Sequence, residues 1–580
     1  MTVVTSPRCP NDHAGDAMRG MVLSIVVCAL LAGPARGQNV GAGPAAPADL
    51  IVTAAHIYTV DPDRPTVQAF AVRGGLIVFA GSVREAMTLE GPRTRMLDLG
   101  DRTVIPGIVD AHLHLLGVGN ALRFVDLTGA ASYDEVIRRV AARAREARPG
   151  EWIRGRGWDQ NRWPGRQLPG EAPLSRAVPD HPVLLTRVDG HAVLGNARAL
   201  ELAGVTAATP DPPGGRIVRG AGGAPTGVFV DNAEALLTRA VPPPSSAETR
   251  AAILAALAEV HRWGLTGIHD PGVTTTTLDL YEELARAGRF DLRDYVMITG
   301  DSADLATAFA RGPQNALYGG RLWVRAIKLY ADGALGSRGA ALLEDYSDEP
   351  GNRGLLVTDT NEVRQVAIAA LRHGFQVCTH AIGDRGNRLT LDAYQAALDT
   401  VPTADHRFRI EHAQVLSPQD IPRFALLGVI PSMQTSHQTS DMTWAVDRLG
   451  WTRVQGAYAW RSLLNTGVVI PNGTDAPVEA INPLIGFHAA ITREDSSGWP
   501  AGGWFPAQRM TREEALESMT IWPAHAAFME QVAGSLTPGR YADFTVLDQD
   551  IMTTAPERIL ETHVVMTVLG GETVYQRSAR

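Results

Sequence analysis

Lysine is almost missing from this sequence. One residue, Lys328, is the whole supply, and arginine provides the other 52 cationic side chains. Arginine serves wherever a fixed positive charge suffices, because its guanidinium stays protonated. A position that keeps lysine against that background needs a primary amine. Positive charge is not in excess either: the formal net charge is −9, and the arginines are interleaved with acids. That excludes a general nucleic-acid footprint and reads as solvated surface.

Long apolar runs are scarce. The one early candidate is Met21–Ala32, preceded by Arg19 and too short to span a bilayer comfortably. Ala35-Arg36-Gly37 follows as a small-x-small cleavage site, so residues 1–37 read as an export signal and 38–48 as a flexible tether. Translation from Met18 or Met21 would shorten the signal. The chain is therefore expected to be exported, periplasmic or secreted, with no integral membrane segment in its mature form. Cysteine is limited to Cys9, Cys28 and Cys378, and only Cys378 survives signal removal, so no intramolecular disulfide is expected. A chain of this length buries enough core to do without one.

What is present is a recurring pattern of strand ends. Residues 49–105 read as short alternating strands split by turns at Asp61-Pro-Asp and Arg73-Gly-Gly. Matching strands occur near the C-terminus, in Ala542–Leu547, His563–Leu569 and Thr573–Tyr575. Short strands need a second layer to cover them, so residues 49–105 and 531–580 are expected to form one small β-sandwich from both chain ends. Between them, residues 106–530 alternate strands with helical periods, the signature of a TIM-like (β/α)8 barrel in an α/β protein. The eight candidate strands end at His112, His269, Ile298, Tyr330, His380, His412, Met433 and Asp475. That count requires an inserted domain after barrel strand 1, at about 138–244, which is rich in Trp, Arg, Gly and Pro. Long segments on that face of a barrel form lids or substrate walls.

Val109-Asp110-Ala111-His112-Leu113-His114 is the most informative stretch. An apolar run leads into two histidines two positions apart, which a strand places on one face. Two imidazoles so placed can chelate a metal such as zinc, although a hydrogen-bonded core pair also satisfies the pattern. Lys328, His380, His412 and Asp475 fall at the same C-terminal ends of barrel strands, where barrel enzymes keep their chemistry.

These residues carry a resemblance. Pro106-Gly-Ile-Val-Asp-Ala-His-Leu-His, Gly157-Trp-Asp, Asp189-Gly-His-Ala, Lys328-Leu-Tyr-Ala-Asp-Gly-Ala-Leu-Gly-Ser-Arg338, Thr379-His-Ala-Ile-Gly-Asp, Glu411-His-Ala and Gly473-Thr-Asp475 are similar to the amidohydrolase superfamily. Within it the chain resembles amidohydrolase family 3, the YtcJ-like and N-substituted formamide deformylase branch. The resemblance implies one or two divalent metal ions, zinc foremost, held by His112, His114, Lys328, His380, His412 and Asp475. It implies that Lys328 is carbamylated and bridges the metals. The expected chemistry is hydrolysis of a non-peptide carbon–nitrogen bond of a small molecule, of amide, N-formyl or N-acyl type, by metal-activated water. Asp475 would be the catalytic proton shuttle.

Substrate contacts are expected from Trp158, His191, His269 and Arg338, with specificity also in Gln434–Asp441. The sequence leaves homo-oligomerisation open. Three rival readings exist. A Schiff-base lyase would use Lys328 as nucleophile but leaves the histidines without a shared task. A non-catalytic binding or regulatory protein could keep the fold. Deamination of a cyclic amidine is the nearest rival, though such enzymes often need no bridging lysine.

Overall fold

The computed structural model describes residues 46–578, so the expected signal peptide, residues 1–37, and most of the tether lie outside the described residues. Among the described residues, no helix is long and apolar enough to cross a membrane.

Seven strands, Ile108–Asp110, Leu265–Val273, Arg293–Thr299, Leu322–Tyr330, Gln376–Ala381, Arg409–His412 and Ile430–Ser432, pair in parallel, each with the next in sequence. Parallel neighbours need a crossover, and helices such as Ser246–Arg262, Thr275–Arg286 and Thr360–His373 supply it. Local chemistry sets their ends. Ser245 and Glu248 form a reciprocal capping box at the start of the first, and Gly374 takes the left-handed conformation that ends the third.

The expected eighth strand is not a regular ladder. Asn472 bridges Met433 in parallel, its carbonyl accepts from Ala111 N–H at 3.1 Å, and Asp475 N–H donates to the His112 carbonyl at 2.7 Å. The segment around residues 471–475 thus lies between the seventh and first strands and closes the ring. Asp110 reinforces the closure, accepting from Thr474 N–H at 3.0 Å and Thr474 Oγ1–H at 2.6 Å.

Both chain ends meet in one eight-stranded sheet, where Thr103–Pro106 pairs antiparallel with Phe544–Leu547. Phe70 and Phe544 stand three strand steps apart along that sheet, about 14 Å if it were flat. Their rings are 5.2 Å apart. The sheet therefore bends over until its halves face each other, and the sandwich is built from one continuous hydrogen-bonded path.

The insertion has its own six-stranded sheet, running from Val125–Asp126 to Pro225–Asp231. It begins before the expected boundary at residue 138, because a two-residue strand leaves no periodic trace in the sequence. Trp158, Trp163, Leu185 and Val228 lie in its core.

Candidate metal centre and active-site cleft

The C-terminal ends of the barrel strands open into a cavity of about 900 Å³, walled on one side by the insertion. Asp475, His380 and His412 line it, together with His191 and His437.

Three histidines have their orientation fixed from behind. His112 Nδ1–H donates to Glu411 at 2.6 Å, and Glu411 is held in turn by Arg409. His114 Nδ1–H donates to the Pro271 carbonyl at 3.1 Å, and His412 Nδ1–H to Gln434 Oε1 at 2.7 Å. Each of these acceptors can only accept, so the proton sits on Nδ1 and the Nε2 lone pair is free. Burial pushes the pKa of His112, His380 and His412 well below the usual histidine range, with the positive charge of Lys328 contributing to each. Neutral imidazoles are the form a metal binds.

Asp475 is where these groups converge. Its Oδ1 is 3.2 Å from His114 Nε2 and 3.6 Å from His112 Nε2, and its Oδ2 is 3.6 Å from His437 Nε2. Burial alone would raise its pKa, yet the surrounding imidazoles of His114, His112 and His437 hold it below the carboxylate range. The backbone there is strained, with φ of +57° at Asp475 and +74° at His412. Non-glycine residues seldom adopt such values unless the surroundings enforce them.

Lys328 is fully buried. Burial lowers its ammonium pKa to about 8, against the opposing pull of Glu411 and Asp475. About a tenth of the amine is therefore uncharged and nucleophilic at pH 7.

The residues fit a metal. His380 Nε2, His437 Nε2 and Asp475 Oδ1 are buried with no hydrogen-bond partner, a costly state that a cation would relieve. The donor atoms of His112, His114 and Asp475 lie within 4.8 Å of one another, as do those of His412, His437 and Asp475. His380 joins them, its ring 4.5 Å from that of His412.

Of the expected substrate residues, the cleft contains His191. Its Nδ1–H bonds Asp231 at 2.7 Å and its ring is 5.0 Å from that of His380. Burial opposes its charge, but Asp231 prevails and raises its pKa to about 9, so both ring nitrogens carry protons. His191 is thus a hydrogen-bond donor rather than a ligand.

Three expectations need correction. Trp158 is fully buried in the core of the insertion, its Nε1–H donating to the Leu185 carbonyl at 2.9 Å. His269 lies four residues before the end of its strand, inside the barrel, where its Nδ1 meets Arg409 at 2.8 Å. Arg338 turns away and pairs with Asp348 and Glu349. None of the three lines the cavity.

The sequence reading missed His437, Asp231 and Glu411 as site residues. His437 lies on a short helix, Thr435–Asp441, directly after the seventh strand. A histidine at the end of yet another barrel strand was the available signal.

A barrel closed by strand-end histidines, a buried lysine and a converging aspartate defines a metal-dependent hydrolase. Comparison with known proteins gives the same class. The pattern of the Amidohydrolase family matches residues 95–575. The chain is 33% identical to amidohydrolase YtcJ of Bacillus subtilis over 529 residues, spanning 90% of this chain and 98% of that one. It is 28% identical to N-substituted formamide deformylase of Arthrobacter pascens, over 91% and 99% of the two chains. A solved metal-dependent hydrolase from Pyrococcus horikoshii superposes with a TM-score of 0.71 at 26% identity, covering 87% of this chain and 99% of that one. The chain belongs to the amidohydrolase family, and it is a hydrolase acting on carbon–nitrogen bonds.

Proposed function

We propose that the protein hydrolyses a non-peptide amide-type bond, N-formyl or N-acyl, in a small molecule. His112, His114, His380, His412 and Asp475 would hold one or two divalent metal ions, zinc foremost, with Lys328 carbamylated as the bridging ligand. The observation that carries this reading is the convergence of neutral histidines on Asp475 beside the one lysine of the chain. When bound, the metal supplies Lewis acidity toward a water molecule and the scissile carbonyl.

The chain's own residues do the rest. Asp475 Oδ2, which faces His437, accepts a proton from the attacking water and returns it to the departing nitrogen. The His191 imidazolium, anchored by Asp231, donates to the carbonyl oxygen as negative charge develops there. The insertion walls the cleft and excludes bulk water, which strengthens both interactions. The similarity to a formamide deformylase supports an N-formyl or N-acyl substrate, and the apolar run at the N-terminus supports an exported enzyme.

The test is a panel of N-formyl amines, N-acyl amines, carbamates and cyclic amidines offered to the purified protein with and without a chelator. Amine release that the chelator stops and zinc restores is expected. Cleavage restricted to cyclic amidines, or none at all, overturns the reading.

A further inference from the structure

Three arginines reach the cavity wall: Arg156, Arg162 and Arg187. Arg187 is neutralised by Asp159 and Asp189, and Arg162 is exposed to solvent. Arg156, on the insertion strand Ile153–Trp158, is partly buried and in neither situation. Its Nε–H donates to the Pro477 carbonyl at 3.3 Å and its Nη2 to the Val188 carbonyl at 3.0 Å. Carbonyls orient a guanidinium but leave its charge uncancelled. No carboxylate among the described residues lies within ion-pair distance of it.

Three acids reach Arg156 with their charge from beyond ion-pair distance: Asp475, Asp189 and Glu234. Asp189 is paired with Arg187, Asp475 faces the imidazoles of His112, His114 and His437, and burial holds the Glu234 carboxyl well above the usual carboxylate range, so it supplies little counter-charge. Pro477 lies two residues beyond Asp475, so the guanidinium is tied to the segment that carries the proton-handling carboxylate. A partly buried cation without a counter-ion is costly, and a planar fork of donors suits a carboxylate.

We propose that Arg156 binds a carboxylate on the substrate, so that the compounds cleaved are N-acyl or N-formyl amino acids rather than amides of neutral amines. The proposal rests on the reading of this cavity as the pocket of a carbon–nitrogen hydrolase.

The test compares an N-acyl amino acid with its own carboxamide, which differs only in the charge. The holoenzyme is expected to favour the acid in kcat/KM. Arg156→Gln should cut that acid-to-carboxamide ratio by about 10- to 100-fold, and Arg156→Lys should recover part of it. Binding of the same pair to the Asp475→Asn protein, with and without the Arg156 substitution, reads the ratio without turnover. A binding preference that Arg156→Gln abolishes, for compounds that are never cleaved, upholds the carboxylate site and removes the hydrolase reading instead. No preference for the acid in either assay, or an equal fall for both compounds, shows a mere structural clamp and overturns the proposal.

Discussion

Lys328 is fully buried, and its charge reaches His112, His380 and His412, a setting in which a guanidinium could not lose its charge as an amine can. Its pKa falls from 10.5 to about 8 on folding. In metal-free, carbon dioxide-free protein the unfolded chain therefore binds the extra proton between pH 8 and 10.5, and stability rises with pH across that window. The gain is at most about 3 kcal/mol, and Lys328→Met should erase it in denaturant titrations at stepped pH. A flat profile in the unsubstituted protein would show that the amine is not desolvated. Glu411 acts one layer out. Glu411→Gln should weaken metal affinity by about 10- to 100-fold, because the charged acceptor that fixes the His112 tautomer becomes a neutral amide. Calorimetric zinc binding checks this.

At the residue scale the sequence revealed type and position but not direction. His112, His114, His380, His412 and Asp475 were singled out by position, at the C-terminal ends of the barrel segments, and the structure brings them close to one another. His269 was misread since its strand runs on to Val273, which leaves the imidazole inside the barrel. Arg338 looked available because its partners Asp348 and Glu349 lie ten and eleven positions further on, with no periodicity to announce them.

Among the elements, the insertion matters most. Its sheet delivers His191 to the cleft from one segment and Asp231, at the end of another strand, to hold it. Asp231→Asn should lower kcat by about 10- to 100-fold, the range for a lost charge-assisted contact, and leave metal content unchanged. Because Asp231 raises the pKa of His191 to about 9, activity that needs the imidazolium is lost as pH rises through that value. The substitution should move this alkaline limb to lower pH, and a pH–rate profile that stays in place would remove His191 from the mechanism. Trp158 belongs to the same element in another capacity. A register shift between Arg156 and Trp158 breaks the period-two alternation of Ile153–Trp158 and turns Trp158 inward beside Trp163, so its motif position reflects packing and not contact with a substrate.

In the whole molecule, the paired chain ends, the barrel and the insertion were legible from strand and helix periods and from the return of strand patterns after residue 540. The continuous bent sheet was not, since Phe70 and Phe544 meet through curvature that no local pattern encodes. The irregular eighth segment was not either. It closes the ring with isolated bonds and a strained Asp475, and that strain directs the carboxylate at His114 and His437.

The most direct test of a metal-dependent hydrolase bridged by its one lysine is elemental analysis of the purified protein beside Lys328→Ala. Close to two divalent ions per chain, falling to one or fewer in the variant, is the expected result. No metal in either protein, even after reconstitution with zinc, would contradict the account.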